Sequence, residues 1–137
     1  MKTFNLKLIS PTGIKYEAEA NSVFLPTPDG EIEVLPDHMP LVALLSPGEI
    51  LIKLDGKTEH LATDGGLVEI NNNTVKIIAD AAESAENLDE LKIMEAKKLA
   101  EERLANAKDN VESADAAAHL EKQLSRLRIV TKHKHRK

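Results

Sequence analysis

Histidine, carboxylate, hydroxyl and lysine side chains are the groups with which this chain could do chemistry, and their spacing decides what chemistry that is. Cysteine is absent, which removes disulfides, thiolate nucleophiles and cysteine-based zinc sites. His38 stands between Pro36 and Pro40, where an imidazole could serve as a general base or a ligand. No second histidine or carboxylate cluster stands at ligand spacing around it, so a structural or contact role fits better. His133 and His135 alternate with basic residues near the end of the chain and fit a solvated tail better than a metal site. Ser, Asp and His all occur, but without the strand–turn–helix elbow that exposes a nucleophile. Gly65-Gly66 lacks the rest of any dinucleotide or phosphate-loop fingerprint and reads as a tight turn. These residues make no case for an enzyme.

Charge is the second chemical signal. The net charge is −5, yet residues 121–137 carry seven basic side chains and one acidic one. Lys122 and Arg126, at i and i+4, share a helix face, and Arg128, Lys132, Lys134, Arg136 and Lys137 extend the positive end. A mildly acidic body with a basic end suggests an acidic partner surface. Nucleic acid is the alternative, but no aromatic platform accompanies the charge; Phe, Tyr and Trp make up 2% of the chain. No apolar run approaches 18 residues, so no transmembrane helix is expected. The start enters strand-like alternation with neither a signal-peptide core nor an Arg-rich transit pattern, which points to an intracellular or organelle-encoded protein.

The elements that must position these residues change character at residues 80–89. Before that stretch apolar residues recur every second position; after it they recur every third or fourth. Phe4, Leu6 and Leu8 alternate with polar residues, as do Ile14, Tyr16, Ala18 and Ala20. Asp29-Gly30, Asp55-Gly56 and Asn71-Asn72-Asn73 mark hairpins or turns. The continuous run Leu41–Leu45 suits a strand buried on both faces. About nine strand candidates at short spacing predict an antiparallel sandwich or barrel. From Leu88 onward there is neither Gly nor Pro, and helix formers dominate. Asn87 is the expected N-cap, with Asp89 and Glu90 in the first turn. The stripes Ile93, Ala96, Ala100, Leu104, Ala107 and Ala117, Leu120, Leu124, Leu127 predict two antiparallel helices of about 20 residues, roughly 30 Å each. The fold class expected is α+β in two parts: an N-terminal antiparallel β-sandwich over residues 1–84 and a helical hairpin with a basic tail over residues 85–137. Alanine-rich stripes bury little area, so the hairpin is expected to form but also to open.

Several motifs resemble the epsilon subunit of bacterial and chloroplast F-type ATP synthases, over the whole chain. Residues 30–41, Gly-Glu-Ile-Glu-Val-Leu-Pro-Asp-His-Met-Pro-Leu, are similar to the family's Gly-Glu…Leu-Pro-x-His-x-Pro-Leu segment, with Asp37 where many members have Gly. Gly65-Gly66-Leu67-Val68-Glu69-Ile70 resembles the family's Gly-Gly strand entry. Residues 79–86 resemble the Ala/Glu-rich junction, and Leu124-Ser125-Arg126-Leu127-Arg128-Ile129 the end of the second helix. The resemblance implies roughly ten strands followed by two helices, in a rotor subunit without catalytic residues of its own. It implies as partners a gamma subunit, the membrane-embedded c-ring, and the catalytic alpha and beta subunits, with no nucleic acid. It implies coupling of proton flow to ATP synthesis, and inhibition of ATP hydrolysis by the C-terminal helices. It further implies a peripheral place on the cytoplasmic face of the bacterial membrane, or the stromal thylakoid face. By position, Glu31 and His38 are candidates for the c-ring contact, and Lys122, Arg126 and Arg128 for a beta-subunit contact. Some members bind ATP through Ile/Leu-Asp-x-x-Arg-Ala. Here that motif stands as Leu88-Asp89-Glu90-Leu91-Lys92-Ile93, with Lys for Arg and Ile for Ala. Lysine lacks the guanidinium fork, so weak or absent ATP binding through Leu88, Asp89 and Lys92 is expected, and no cofactor otherwise. The competing classes are a free-standing regulatory adaptor and a nucleic-acid binder that uses the basic end.

Overall fold

The computed structural model describes residues 2–136, with side chains described through Lys134; Lys137 and the side chains of His135 and Arg136 lie outside the described residues. The chain divides into two compact units, residues 1–84 and 85–137. Strands β1 (Phe4–Ser10), β2 (Gly13–Ala20), β3 (Ser22–Thr27), β4 (Gly30–Val34), β5 (Leu41–Leu45), β6 (Gly48–Leu54), β7 (Lys57–Thr63), β8 (Gly66–Asn71), β9 (Thr74–Ala79) and β10 (Ala82–Ser84) build the first unit. They form two five-stranded sheets, ordered β2-β1-β9-β8-β5 and β10-β7-β6-β3-β4. Alternation places Phe4, Leu6 and Leu8 of β1, Val23 and Leu25 of β3, Ile50 and Ile52 of β6, and Val75 and Ile77 of β9 in one core between the sheets, aliphatic apart from Phe4.

Turn chemistry sets the hairpins. Asp55 and Gly56 (φ 50° and 81°) join β6 to β7, and Asn72 and Asn73 (φ 50° and 57°) join β8 to β9. Both pairs take the two successive positive φ values that match strand twist in a tight hairpin, which Asn, Asp and Gly tolerate best. Gly66 answers a steric need: a Cβ there would lie 2.1 Å from the Ile78 carbonyl oxygen.

The sandwich departs from the sequence expectation in four ways. First, β1 and β9 pair in parallel, so the first sheet is not purely antiparallel; strand alternation carries no information on direction. Second, β10, a strand beyond the nine or so that alternation showed but within the roughly ten the resemblance implies, pairs with β7 inside residues 80–89. Third, β5 is an edge strand and is not buried on both faces; Val42 and Leu44 are 64% and 65% exposed. A continuous apolar run cannot by itself separate a central strand from an edge strand with an apolar outer face. Fourth, the β1–β2 register slips between Leu8 and Ile9, which face Tyr16 and Ile14. This bulge at Lys15 turns Ile14 off the Tyr16 face, leaving it 56% exposed.

In the second unit a 3-10 turn, Ala85–Asn87, leads into α1 (Glu90–Ala105) and α2 (Asn110–Arg136), and the two helices pack together. Asp89, not Asn87, is the N-cap of α1: its carboxylate accepts the N–H groups of Leu91 (3.0 Å) and Lys92 (3.3 Å). Asn87 is committed to the 3-10 turn instead. Asp109 caps α2 through the Glu112 N–H (2.8 Å), while the Glu112 carboxylate reaches back to the Lys108 N–H (2.9 Å), a variant of the reciprocal capping box. The helices are unequal, 16 and 27 residues rather than about 20 each. On α1, Ile93 and Ala100 of the expected stripe are buried. On α2 Leu120, Leu124 and Leu127 of the expected stripe are half-buried, but Ala117 is exposed, and buried positions lie beside the stripe, at Ala116, Gln123 and Val130. Several alanines in a row left the phase of that stripe open.

Candidate functional site

A row of apolar side chains, one from each strand, crosses the outer face of the first sheet. The register aligns Ile14 of β2 with Ile9 of β1, Ile9 with Ile78 of β9, Ile78 with Leu67 of β8, and Leu67 with Leu44 of β5. Ile14, Ile78 and Leu44 are 56%, 43% and 65% exposed. The adjacent row is charged, pairing Glu17 with Lys7, Lys7 with Lys76, and Lys76 with Glu69, and it ends at Val42. An exposed apolar stripe rimmed by charges of both signs is the composition of a docking surface. Sequence reasoning missed it, although the signal was present: Leu8-Ile9, Ile77-Ile78 and Leu67-Val68 are adjacent apolar pairs, which a strand must divide between its two faces.

Glu31 is exposed on β4, the outer strand of the second sheet. His38 lies half-buried in the loop that follows, where its Nδ1 donates to the Met39 carbonyl (2.7 Å). Glu31 is near the hairpin end of β4 and His38 is beyond its other end, so roughly 10 Å of strand keeps them apart. The loop is pinned by Asn73, whose side-chain carbonyl accepts the Asp37 N–H (2.8 Å) while its amide donates to the Thr3 carbonyl (3.0 Å). Asn21 does the same nearby, donating to the Lys2 carbonyl (3.0 Å) and accepting from the Asp55 N–H (2.7 Å). From sequence Asn73 was read only as a turn residue and Asn21 not at all, because such brackets depend on which turns meet in space. Asp37 has φ 64°, which explains why glycine suits this position in the resembled motif. Leu35 and Met39 on the same loop are 52% and 73% exposed.

Tyr16 half-buries its ring, and its phenol pKa is raised above the ordinary value, first by burial and second by the nearby Glu59 carboxylate. Among the described residues no group of three or more His, Asp or Glu side chains could hold a metal ion. No described helix is long and apolar enough to cross a membrane.

In the second unit, Lys122 and Arg126 are half-buried on α2 and Arg128 is exposed. Leu88 is half-buried, Asp89 and Lys92 are exposed, and Ile93 is buried. The structure brings Asp89 and Lys92 together as cap and capped residue, through the Lys92 backbone N–H.

A ten-stranded sandwich followed by a two-helix hairpin is the architecture of the delta/epsilon class of ATP synthase chains. Residues 3–85 match the family model described as ATP synthase, Delta/Epsilon chain, beta-sandwich domain. The ATP synthase epsilon chain of Nitratidesulfovibrio vulgaris is 36% identical over 128 residues, covering 93% of this chain and 96% of that one. That of Psychrobacter cryohalolentis is 37% identical over 137 residues, covering 99% of each. This chain belongs to the ATP synthase epsilon chain family. The fold is also similar to a chain in the Euglena gracilis mitochondrial ATP synthase, OSCP/F1/c-ring (TM-score 0.79, 22% identity, 90% of this chain and 78% of that chain). A chain in the central stalk/c-ring of the Tetrahymena thermophila mitochondrial ATP synthase is similar over 96% of each chain (TM-score 0.62, 17% identity).

Proposed function

We propose that this chain is a non-catalytic central-stalk subunit of an F-type ATP synthase, peripheral on the cytoplasmic face of the membrane (or the stromal thylakoid face), which couples proton translocation to ATP synthesis. The observation that carries the reading is the apolar row Ile14, Ile9, Ile78, Leu67 and Leu44. A gamma-type subunit docks on it, with the flanking charged row fixing orientation. Glu31, His38 and the loop bearing Met39 face the c-ring. Lys122, Arg126 and Arg128 meet an acidic surface of the beta subunit, and the helices inhibit ATP hydrolysis when they part and extend. ATP binds weakly or not at all through Leu88, Asp89 and Lys92. In support, the Asp89 carboxylate is already engaged as a helix cap, and the residue in the family's alanine position, Ile93, is buried. The test is co-purification with a gamma-type subunit. Leu44→Lys with Ile78→Lys should weaken capture by an order of magnitude or more while changing thermal unfolding little, since Leu44 is mostly exposed and Ile78 is exposed enough for a lysine there to carry its ammonium out to water. A chain indifferent to gamma, or capture unaffected by the two lysines, would sink this reading.

A further inference from the structure

We propose that Glu90 and Lys134 form an ionic clasp that holds the helical hairpin shut at the end opposite its turn, and so sets how readily the two helices part. This rests on the opening of the hairpin proposed above. Glu90 is the first residue of α1 and Lys134 lies in the last turn of α2. Although 44 residues apart in the chain, they meet in a direct hydrogen-bonded ion pair between Lys134 Nζ and Glu90 Oε2.

Position makes this pair different from an ordinary surface ion pair. The helices are joined at residues 106–109, so that connection is the pivot of any parting. Glu90 stands about 22 Å along α1 from the pivot. A parting of about 30° would separate the far ends by roughly 11 Å, several times the reach of a hydrogen bond. The clasp therefore breaks at the outset, while contacts beside the turn, such as those of Ala100 and Ala116, part least. The rest of the packing is thin, because the buried positions of α1 are Ile93 and Ala100. Glu90 keeps 32% of its side-chain exposure and Lys134 67%, so the pair falls within the range of surface ion pairs. Its loss should raise the opened fraction about 2- to 5-fold.

Each residue also complements its own helix dipole, so a single substitution frays a helix end as well as breaking the pair. A double-mutant cycle separates the two effects. Amide hydrogen exchange of α1 in the full chain should quicken about 2- to 5-fold in Glu90→Gln and in Lys134→Gln, and Lys134→Gln should add nothing in the Glu90→Gln background. Unchanged exchange in Lys134→Gln, or effects that simply add, would overturn the clasp. ATP hydrolysis by the assembled enzyme is the separate check: Glu90→Gln should deepen inhibition. Faster exchange with unchanged hydrolysis leaves the clasp standing and refutes the inhibitory reading; unmoved exchange refutes the clasp whatever the hydrolysis rate.

Discussion

Tyr16 is the single tyrosine of a chain without tryptophan, so its ionisation can be followed by absorbance with no competing signal. Burial and the Glu59 carboxylate both disfavour the phenolate. The fold therefore tolerates the neutral ring and resists the charged one. Stability should be unaffected below the ordinary tyrosine value near 10 and should fall as pH rises through the higher folded value. Glu59→Gln should bring the midpoint part of the way down, because burial remains; a midpoint that matches free tyrosine in the unaltered chain would refute both causes, and in the variant it would refute burial. Gly66 offers a steric test at the same scale. Gly66→Ala should cost about 3 kcal/mol or more in denaturant unfolding, from a 2.1 Å clash added to an unfavourable φ of 148°. Gly13→Ala, with φ 122° and open space around its Cβ, isolates the backbone strain and should cost clearly less. Gly65-Gly66 reads from sequence as a tight turn, whereas Gly66 opens β8, and the approach of the Ile78 carbonyl was not legible at all. A clash is a property of two strands, and the sequence shows one at a time.

At the scale of elements, caps and edges carry the lesson. Asp89→Ala should cost about 1 kcal/mol, read as faster exchange in the first turn of α1, whereas Asn87→Ala should leave that turn unchanged. A loss in Asn87→Ala with none in Asp89→Ala would return the cap to Asn87. Both residues are good caps by type, and local propensity could not choose between them; the 3-10 turn over Ala85–Asn87 did. Strand existence was legible because period-2 alternation and Asp-Gly or Asn-Asn turns are local signals. Three features were not: the parallel β1–β9 pairing, the edge position of β5, and the bulge that exposes Ile14. Each is decided by which strand lies next to which. The outer apolar row depends on all three, which is why it emerged only with the sheet order.

For the whole molecule, the division at residues 84 and 85 separates two units with their own internal packing. β10 ties one side of the junction to the sandwich, and the 3-10 turn ties the other to α2. Removal of residues 85–137 should leave capture by a gamma-type subunit intact, because the apolar row belongs wholly to the first unit. If the helices inhibit, ATP hydrolysis by the assembled enzyme should rise severalfold with the truncated chain, and an unchanged rate would remove inhibition from the proposal.

The sequence by itself determined the two-part plan, the aliphatic core, the turn positions and the family, because periodicity, turn chemistry and short motifs are written within a few consecutive residues. Only the tertiary structure decided the sheet order and the outer apolar row. The same holds for the asparagine brackets at Asn21 and Asn73, the phase of α2, and the meeting of Glu90 with Lys134. These features join residues from tens of positions apart, and no local pattern encodes which of many equivalent isoleucines, asparagines or lysines will find one another.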